Sequence, residues 1–282
     1  MTGWRRKLLC VIIICQTLGT GSAFSAPARG GEDGWLREAP FGYSIRSSSA
    51  PSVSPKLRSS AAGDRGAPDS RSSIYEFEWR KSDWNGKRSG KGTELKTRPM
   101  PWMKEQWARL SFFADAKYFS GDTRFAIIMQ YHSVPDVDLG EQWRNPVSSL
   151  VIRGNNLQYD YRSSVERVTP KDENGFKYTG KGTIQLGQVR FNEWNEIIFH
   201  QTFDTRSGSI KIWLNGQVFE RNNVGIGYND KHGMFLKFGL YCPANSDLDV
   251  KRISFRDVKI LPATPNDPVP SEEEALRLLR ME

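Results

Sequence analysis

Residues 124–132, Arg-Phe-Ala-Ile-Ile-Met-Gln-Tyr-His, decide the fold of this chain. They contain neither Gly nor Pro and are rich in strand-forming residues, which predicts a β-strand. Strand side chains alternate in direction, so one set should face a core and the other should face away. The predicted core set is Phe125, Ile127, Met129 and Tyr131, and the outward set is Ala126, Ile128, Gln130 and His132. Gln130 and His132 would lie roughly 6–7 Å apart, on the floor of a polar groove.

A second stretch, residues 235–241, has the same organisation and reads Phe-Leu-Lys-Phe-Gly-Leu-Tyr. Its leucines and Phe238 form one apolar face, while Lys237 and Tyr241 share the other face with Gly239, which leaves space for a close approach. If the two strands are neighbours, Gln130, His132, Lys237 and Tyr241 converge on one patch. The sequence alone leaves that pairing open.

Composition limits the partners. The chain has 282 residues, of which 38% are hydrophobic and 12% aromatic, enough for one sizeable core. The formal net charge of +8 favours anionic partners such as nucleic acid, membrane headgroups or acidic polysaccharide. A basic but otherwise ordinary soluble surface would explain the charge equally well. Because no nucleic-acid-binding module is recognisable, nucleic acid is not the expected partner.

The N-terminus predicts export. Residues 4–7 read Trp-Arg-Arg-Lys and precede an apolar run over residues 8–15, followed by small residues up to Ala23. This pattern is typical of a cleavable signal peptide over residues 1–23, and the run is too short for stable membrane insertion. We therefore expect a secreted or periplasmic protein.

Cysteine and metal-ligand patterns predict a fold without covalent or metal support. Cys242 alone remains after the signal, so neither an internal disulfide nor a thiolate zinc site can form. It is interpreted as a part-buried small residue rather than a catalytic thiol. No cofactor is expected, and a structural calcium near Asp247 and Asp249 is only a weak alternative.

The remaining chain divides into an arm, a domain and a tail. Residues 24–73 are rich in Ser, Ala, Gly, Pro and Arg and predict a disordered linker. The domain spans residues 74–262, and the tail, 263–282, contains a short helix capped by Ser271 and Glu274. Predicted strands cover residues 74–79, 107–114, 124–132, 148–153, 157–162, 183–189, 196–203, 209–214, 217–221, 235–241 and 250–260. Short strands separated by turns, including an Asn215-Gly216 hairpin, predict an all-β fold, a β-sandwich or jelly roll.

Two motifs carry a family resemblance. Gln130-Tyr131-His132 resembles the Gln-x-His motif of jelly-roll polysaccharide lyases of the alginate, glucuronan and heparin lyase I type. The stretch 235–241 is similar to the aromatic-Phe-Lys-x-Gly-x-Tyr strand of that group, and the motifs occur in the same order. The resemblance covers roughly residues 74–262 and implies a concanavalin A-like jelly-roll sandwich.

The sequence departs from this family at one position. Such lyases carry an Arg-x-Glu-Leu strand, and the corresponding run, Gly92-Thr93-Glu94-Leu95, has glycine in place of the arginine. Substitutes for the missing charge are Arg88, Lys91, Lys96 and Arg98. Lysine lacks the bidentate fork that arginine offers a carboxylate.

The resemblance implies β-elimination on a uronic acid: a base removes the C5 proton and an acid protonates the departing O4. Gln130, with a nearby cation, is assigned to stabilise the carboxylate, and Tyr241 to acid–base catalysis, with Lys237 placed to lower its pKa. His132 is either the base or a positioning partner. Arg153 and His200 could extend the groove, although a purely structural His200 is an equal alternative.

The predicted protein is thus a monomeric, secreted lyase acting on an anionic polysaccharide. A non-catalytic, lectin-like sandwich that binds an acidic glycan is the alternative, and the missing arginine favours it. A structural envelope protein explains the arm and the tail but not the two motifs.

Overall fold

The computed structural model describes residues 35–36, 44–47, 56–59, 73–83, 90–262 and 265–280. Most of them belong to strands that form two layers. The front layer, in spatial order, consists of β1 (Trp35–Leu36), β2 (Ser44–Ser47), β5 (Gly90–Lys96), β16 (Met234–Pro243), β7 (Phe125–Ser133), β8 (Ser148–Arg153), β9 (Asn156–Ser164) and β12 (Gly180–Gln188). The back layer consists of β3 (Lys56–Ser59), β4 (Ser73–Arg80), β17 (Val250–Leu261), β6 (Glu105–Ala114), β13 (Trp194–Thr202), β14 (Asp204–Leu214) and β15 (Gln217–Tyr228).

The end of β15 joins the two layers at one edge, where Gly227 and Tyr228 pair in parallel with Ser163 and Ser164 of β9. A separate small hairpin consists of β10 (Lys171–Asp172) and β11 (Gly175–Phe176), and a C-terminal helix, α1, spans Glu272–Arg280. No helix among the described residues is long and apolar enough to cross a bilayer.

Aromatic side chains fill the space between the layers. Phe238 of β16 makes edge-to-face contacts with Phe77 of β4 and Phe255 of β17, at centroid distances of 5.7 and 5.3 Å. Tyr159 of β9 meets Phe199 of β13 at 5.2 Å. Strands from opposite layers therefore share one apolar core, and the predicted all-β sandwich is confirmed.

A β-bulge corrects the predicted faces of β7. Met129 pairs with Leu150 and Ile127 with Val151, so Ile128 has no partner on β8. Because an extra residue shifts the alternation by one, Ala126 and Ile128 join the core, and Phe125 and Ile127 do not. Beyond the bulge the prediction holds: Met129 and Tyr131 lie in the core, and Gln130 and His132 face outward.

The described part of the predicted linker contains strands that its composition did not indicate. β2 pairs with β5, and β3 pairs with β4. Strands β5 and β4 would otherwise present unpaired backbone groups at the layer edges, which readily accept a further strand. The rest of the linker and the predicted signal peptide lie outside the described residues.

Helix α1 covers the outer face of the back layer. Ala275 and Leu279 pack with Trp107, Ile198 and Trp213 in a small second core. The Ser271 hydroxyl accepts a hydrogen bond from the Glu274 backbone N–H at 3.3 Å, as expected for the predicted cap.

A buried ion pair anchors the loop that follows β16. The Lys251 Nζ atom lies 2.6 Å from the Asp122 carboxylate, and both side chains are 1% exposed. Ser246 donates a further hydrogen bond to the same carboxylate. Burial opposes ionisation of Asp122, but the hydrogen bonds from Lys251, Ser246 and the Arg124 backbone outweigh it and lower the pKa of Asp122 to about 2.

Replacing Asp122 with asparagine should therefore lower the free energy of unfolding by about 3–5 kcal/mol, because Lys251 would remain buried without its counter-charge. In the native protein this stabilisation is fully present above the unfolded-state pKa of Asp, about 4, and is lost as the pH falls towards 2. Urea unfolding across that range measures both effects. Asp247→Asn, at an exposed neighbouring carboxylate, is the control; equal losses in the two variants would contradict the argument.

Candidate active site

Strand pairing places three of the predicted residues in one row across the outward face of the front layer. Lys237 of β16 pairs with Lys96 of β5 on one side and with Gln130 of β7 on the other. Gln130 in turn pairs with Ser149 of β8. The two motif strands are neighbours, which the sequence had left open, and two basic side chains follow the amide on one side of the row.

Glu94 holds this row together. Its carboxylate accepts a short hydrogen bond from the Gln130 amide and lies 3.4 Å from the Lys237 ammonium. Glu94 is only 8% exposed and Gln130 only 3%. An amide nitrogen carries two hydrogens, so orienting one towards Glu94 leaves the second for a ligand. Glu94 lies within the run that resembles the family motif, but its role was not predicted from the sequence.

His132 occupies an aromatic niche beside the row, two residues after Gln130 on β7, where it pairs with Phe235. Its ring stacks on Phe235, with centroids 5.7 Å apart, and meets the Trp143 ring at 5.4 Å. The Nδ1 atom lies 3.1 Å from the carbonyl oxygen of Ser133. A hydrogen on Nδ1 would donate to that carbonyl and leave Nε2 as an acceptor. Burial, assisted by the positive charge of Lys237, lowers the pKa of His132 to about 3.

We expect His132 to stay neutral throughout the physiological pH range. Its NMR ring resonances should not move between about pH 5 and pH 8, where an unperturbed histidine titrates near 6.5, and a His132→Asn variant would assign them. Because the folded-state pKa lies below the unfolded-state value, His132 also destabilises the fold progressively as the pH falls from about 6.5 to 3. A titration midpoint near 6.5 would refute this.

Tyr241 lies over a glycine strip on β5. Tyr241 pairs with Gly92, and a Cβ atom added to Gly92 would be 3.1 Å from the tyrosine ring and 2.7 Å from the Glu94 carboxylate. A Cβ added to Gly90 would be 3.0 Å from the Tyr241 hydroxyl oxygen. A side chain at either position would crowd Tyr241, so glycine at the position of the family arginine leaves room for the ring.

The other predicted cations lie in different places. The Lys96 ammonium is 4.8 Å from the centre of the Phe235 ring, which the Lys237 ammonium also approaches, at 5.7 Å. Lys91 alternates to the opposite face of β5, where it is 5% exposed and 3.3 Å from Asp83, and is therefore removed from the predicted binding set. Arg88 lies outside the described residues.

Arg153 and His200 lie on different layers of the sandwich. Arg153 is exposed on β8 and pairs with Phe125, two residues before Ile127, the partner of Tyr241. It therefore extends the same outward face. His200 belongs to the back layer, where it stacks on Trp107 at 3.9 Å and contacts Glu105 at 2.6 Å. Its strand pairs with β6 and β14, so the groove assignment is replaced by the structural alternative.

Two further observations concern the chemistry available nearby. Burial raises the pKa of the Cys242 thiol to about 12, which removes it as a nucleophile and agrees with its interpretation as a structural residue. Ligand atoms of Asp136, Asp138 and His232 lie within 4.8 Å of one another, a grouping that the sequence separation concealed. Asp136 is already paired with Arg167 at 2.9 Å.

One outward sheet face thus presents an amide held by a carboxylate, two ammonium groups, an imidazole and a phenol. The sequence matches the polysaccharide lyase family over residues 63–258. The chain belongs to the polysaccharide lyases, acts on a polysaccharide, and is an enzyme of that class. A search of curated proteins found no match.

Solved structures support the fold. An endo-β-1,4-glucuronan lyase from the fungus Trichoderma reesei is similar with a TM-score of 0.59 at 16% identity, covering 79% of this chain and 94% of that one. An alginate lyase from Pseudomonas aeruginosa is similar with a TM-score of 0.45 at 15% identity, covering 72% and 84%. The similarity to the glucuronan lyase confirms the jelly-roll sandwich expected from the two motifs.

Proposed function

We propose that this polysaccharide lyase cleaves a uronic-acid-containing chain by β-elimination, with Tyr241 as the proton-transfer residue. The single observation that carries the proposal is the pairing of β5, β16 and β7, which brings Lys96, Lys237 and Gln130 into one row and places Tyr241 on the same face of β16. The chain's basic charge and the glucuronan-cleaving neighbour support an anionic substrate.

The difficulty of the reaction is the weak acidity of the C5 proton. Removing it builds negative charge on the adjacent carboxylate, and donors already aimed there lower the barrier. The free N–H of Gln130 and the ammonium of Lys96 or Lys237 supply that stabilisation. Glu94 keeps the amide and Lys237 in place, so little reorganisation is needed when the charge forms.

The electrostatics of the site disfavour His132 as the base. A general base works best when its pKa is near the working pH, and the pKa of His132 is about 3. His132 therefore serves to accept a hydrogen bond and position the sugar. Tyr241, as phenolate, removes the C5 proton and, as phenol, returns it to the departing O4, as a syn arrangement of the two allows. The C4–O4 bond breaks, and a C4–C5 double bond forms.

The test is a panel of glucuronan, mannuronan, guluronan and heparin-type chains. Two signals should be followed together: the ultraviolet absorbance of the unsaturated uronate, and the appearance of reducing ends. Elimination raises both, while hydrolysis raises only reducing ends. If neither rises on any polymer but one of them is retained on an affinity column, the lectin-like alternative replaces the proposal.

We further propose that the enzyme is exported and acts as a monomer. The basic and apolar N-terminus supports export, and a substrate too large to enter cells is consistent with it. Mass spectrometry of secreted protein should show a mature chain that begins close to residue 24. An intact N-terminus on the secreted chain would contradict cleavage.

A further inference from the structure

Trp143 is a large apolar side chain that the reaction as described does not use. It lies on the loop between β7 and β8 and is 57% exposed. Its ring is nevertheless 5.4 Å from the imidazole of His132, at an interplanar angle of 63°. A molecule bound over Trp143 would therefore sit beside the active-site row.

Arg144, the residue after Trp143, anchors the loop through buried contacts. The Arg144 side chain, 1% exposed, is paired with Glu141 and Asp230. It also donates to the Thr169 hydroxyl at 2.7 Å and lies 4.2 Å from the Tyr228 ring centre. Movement of this segment would break a buried charge network and leave a charge unpaired, which is strongly unfavourable. The exposed indole of Trp143 is therefore attached to an anchored segment, so that a ligand binding to it would lose little conformational entropy of the loop.

We propose that Trp143 is a sugar-stacking platform that binds the pyranose ring next to the uronate being cleaved, and so determines specificity and affinity along the chain. This inference rests on the proposed function. A pyranose presents C–H groups on its ring face, which suit an indole, while its hydroxyls remain exposed to water. The lysines hold the carboxylate of the reacting sugar, and Trp143 holds its neighbour.

Contact with His132 favours a sugar over a protein partner as the occupant. A protein docked on Trp143 would obstruct the groove that the substrate must enter. The same loop also exposes Val137 and Leu139, at 65% and 49%. A docking surface would use these side chains as well, whereas stacking needs only the indole, so they provide matched controls.

The kinetic test compares Trp143→Ala and Trp143→Phe with Val137→Ser and Leu139→Ser on the best polymer of the panel. Losing the platform should raise KM about tenfold for alanine and less for phenylalanine, with kcat nearly unchanged. The two serine variants should match the unaltered enzyme. An unchanged KM in a folded Trp143→Ala variant would overturn the inference while leaving the proposed elimination intact.

A binding test separates the two ideas further. In a Tyr241→Phe background, which should leave substrate uncut, an oligosaccharide from the same polymer should quench tryptophan fluorescence. Adding Trp143→Phe should remove most of the quench, and Leu139→Ser should not. Quenching that persists without Trp143 would overturn the platform. Trp143-dependent quenching by unaltered protein that cleaves nothing would support the platform and refute elimination. If Val137→Ser and Leu139→Ser raised KM as much as Trp143→Ala does, the loop would be interpreted as a protein-docking surface instead.

Discussion

Replacing Tyr241 with phenylalanine should reduce kcat on the cleaved polyuronate roughly a thousandfold, the usual contribution of a positioned acid–base group. The substitution removes only the phenolic hydroxyl. The ring would keep its seat on Gly90 and Gly92, so the strand pairing of β5 with β16 should be retained. Substrate affinity should change little, because Lys96, Lys237 and Gln130 remain.

The measurement is the initial rate of unsaturated-uronate formation, with thermal unfolding as a check on the fold. Tyr118→Phe is the matched control: its hydroxyl accepts a hydrogen bond from Arg252 at 2.8 Å, away from the row. If Tyr241→Phe kept more than about a tenth of the rate, proton transfer would have to be reassigned, with His132 the next candidate despite its low pKa.

Restoring the family arginine in Gly92→Arg should lower activity about a hundredfold rather than raise it, the loss expected from a small misplacement of reacting groups. The added Cβ would be 2.7 Å from the Glu94 carboxylate and 3.1 Å from the Tyr241 ring. Glu94 would release Gln130 and Lys237, and Tyr241 would leave its seat. Gly92→Ala should show most of the same loss, since the first carbon already collides.

Thr93→Val tests whether any change to β5 has this effect. Thr93 is buried on the opposite face of the strand, and its hydroxyl makes no hydrogen bond within the described residues. Its activity should stay close to that of the unaltered enzyme. An increase in rate for Gly92→Arg would mean that the site is impaired by the missing arginine, as the lectin-like alternative supposes.

Much of the secondary structure of this protein can be predicted from its sequence because strand alternation is a local property. The runs around Gln130 and Lys237 identified two strands and the outward position of the polar residues in them, and the series of short strands and turns indicated an all-β sandwich. The capping pair at Ser271 and Glu274 likewise marked the start of α1. In each case the determining interaction spans only a few residues, so the pattern can be recognised in the amino-acid sequence.

The tertiary structure decided what depends on long-range pairing. Ile128 bulges because β7 is matched against β8, and no local pattern predicts that shift. Glu94 clamps Gln130 and Lys237 only because β5, β16 and β7 lie side by side.

Long-range pairing also decided which residues belong to the site. His200 was assigned to the groove by its residue type, but its strand belongs to the back layer. Trp143 reaches His132 because Arg144 is fixed by Asp230, far along the chain. The sequence by itself determined the strands and the outward position of Gln130, His132, Lys237 and Tyr241. Only the packed layers determined which of these side chains meet, because the closure of long loops brings together groups whose separation along the chain carries no signal.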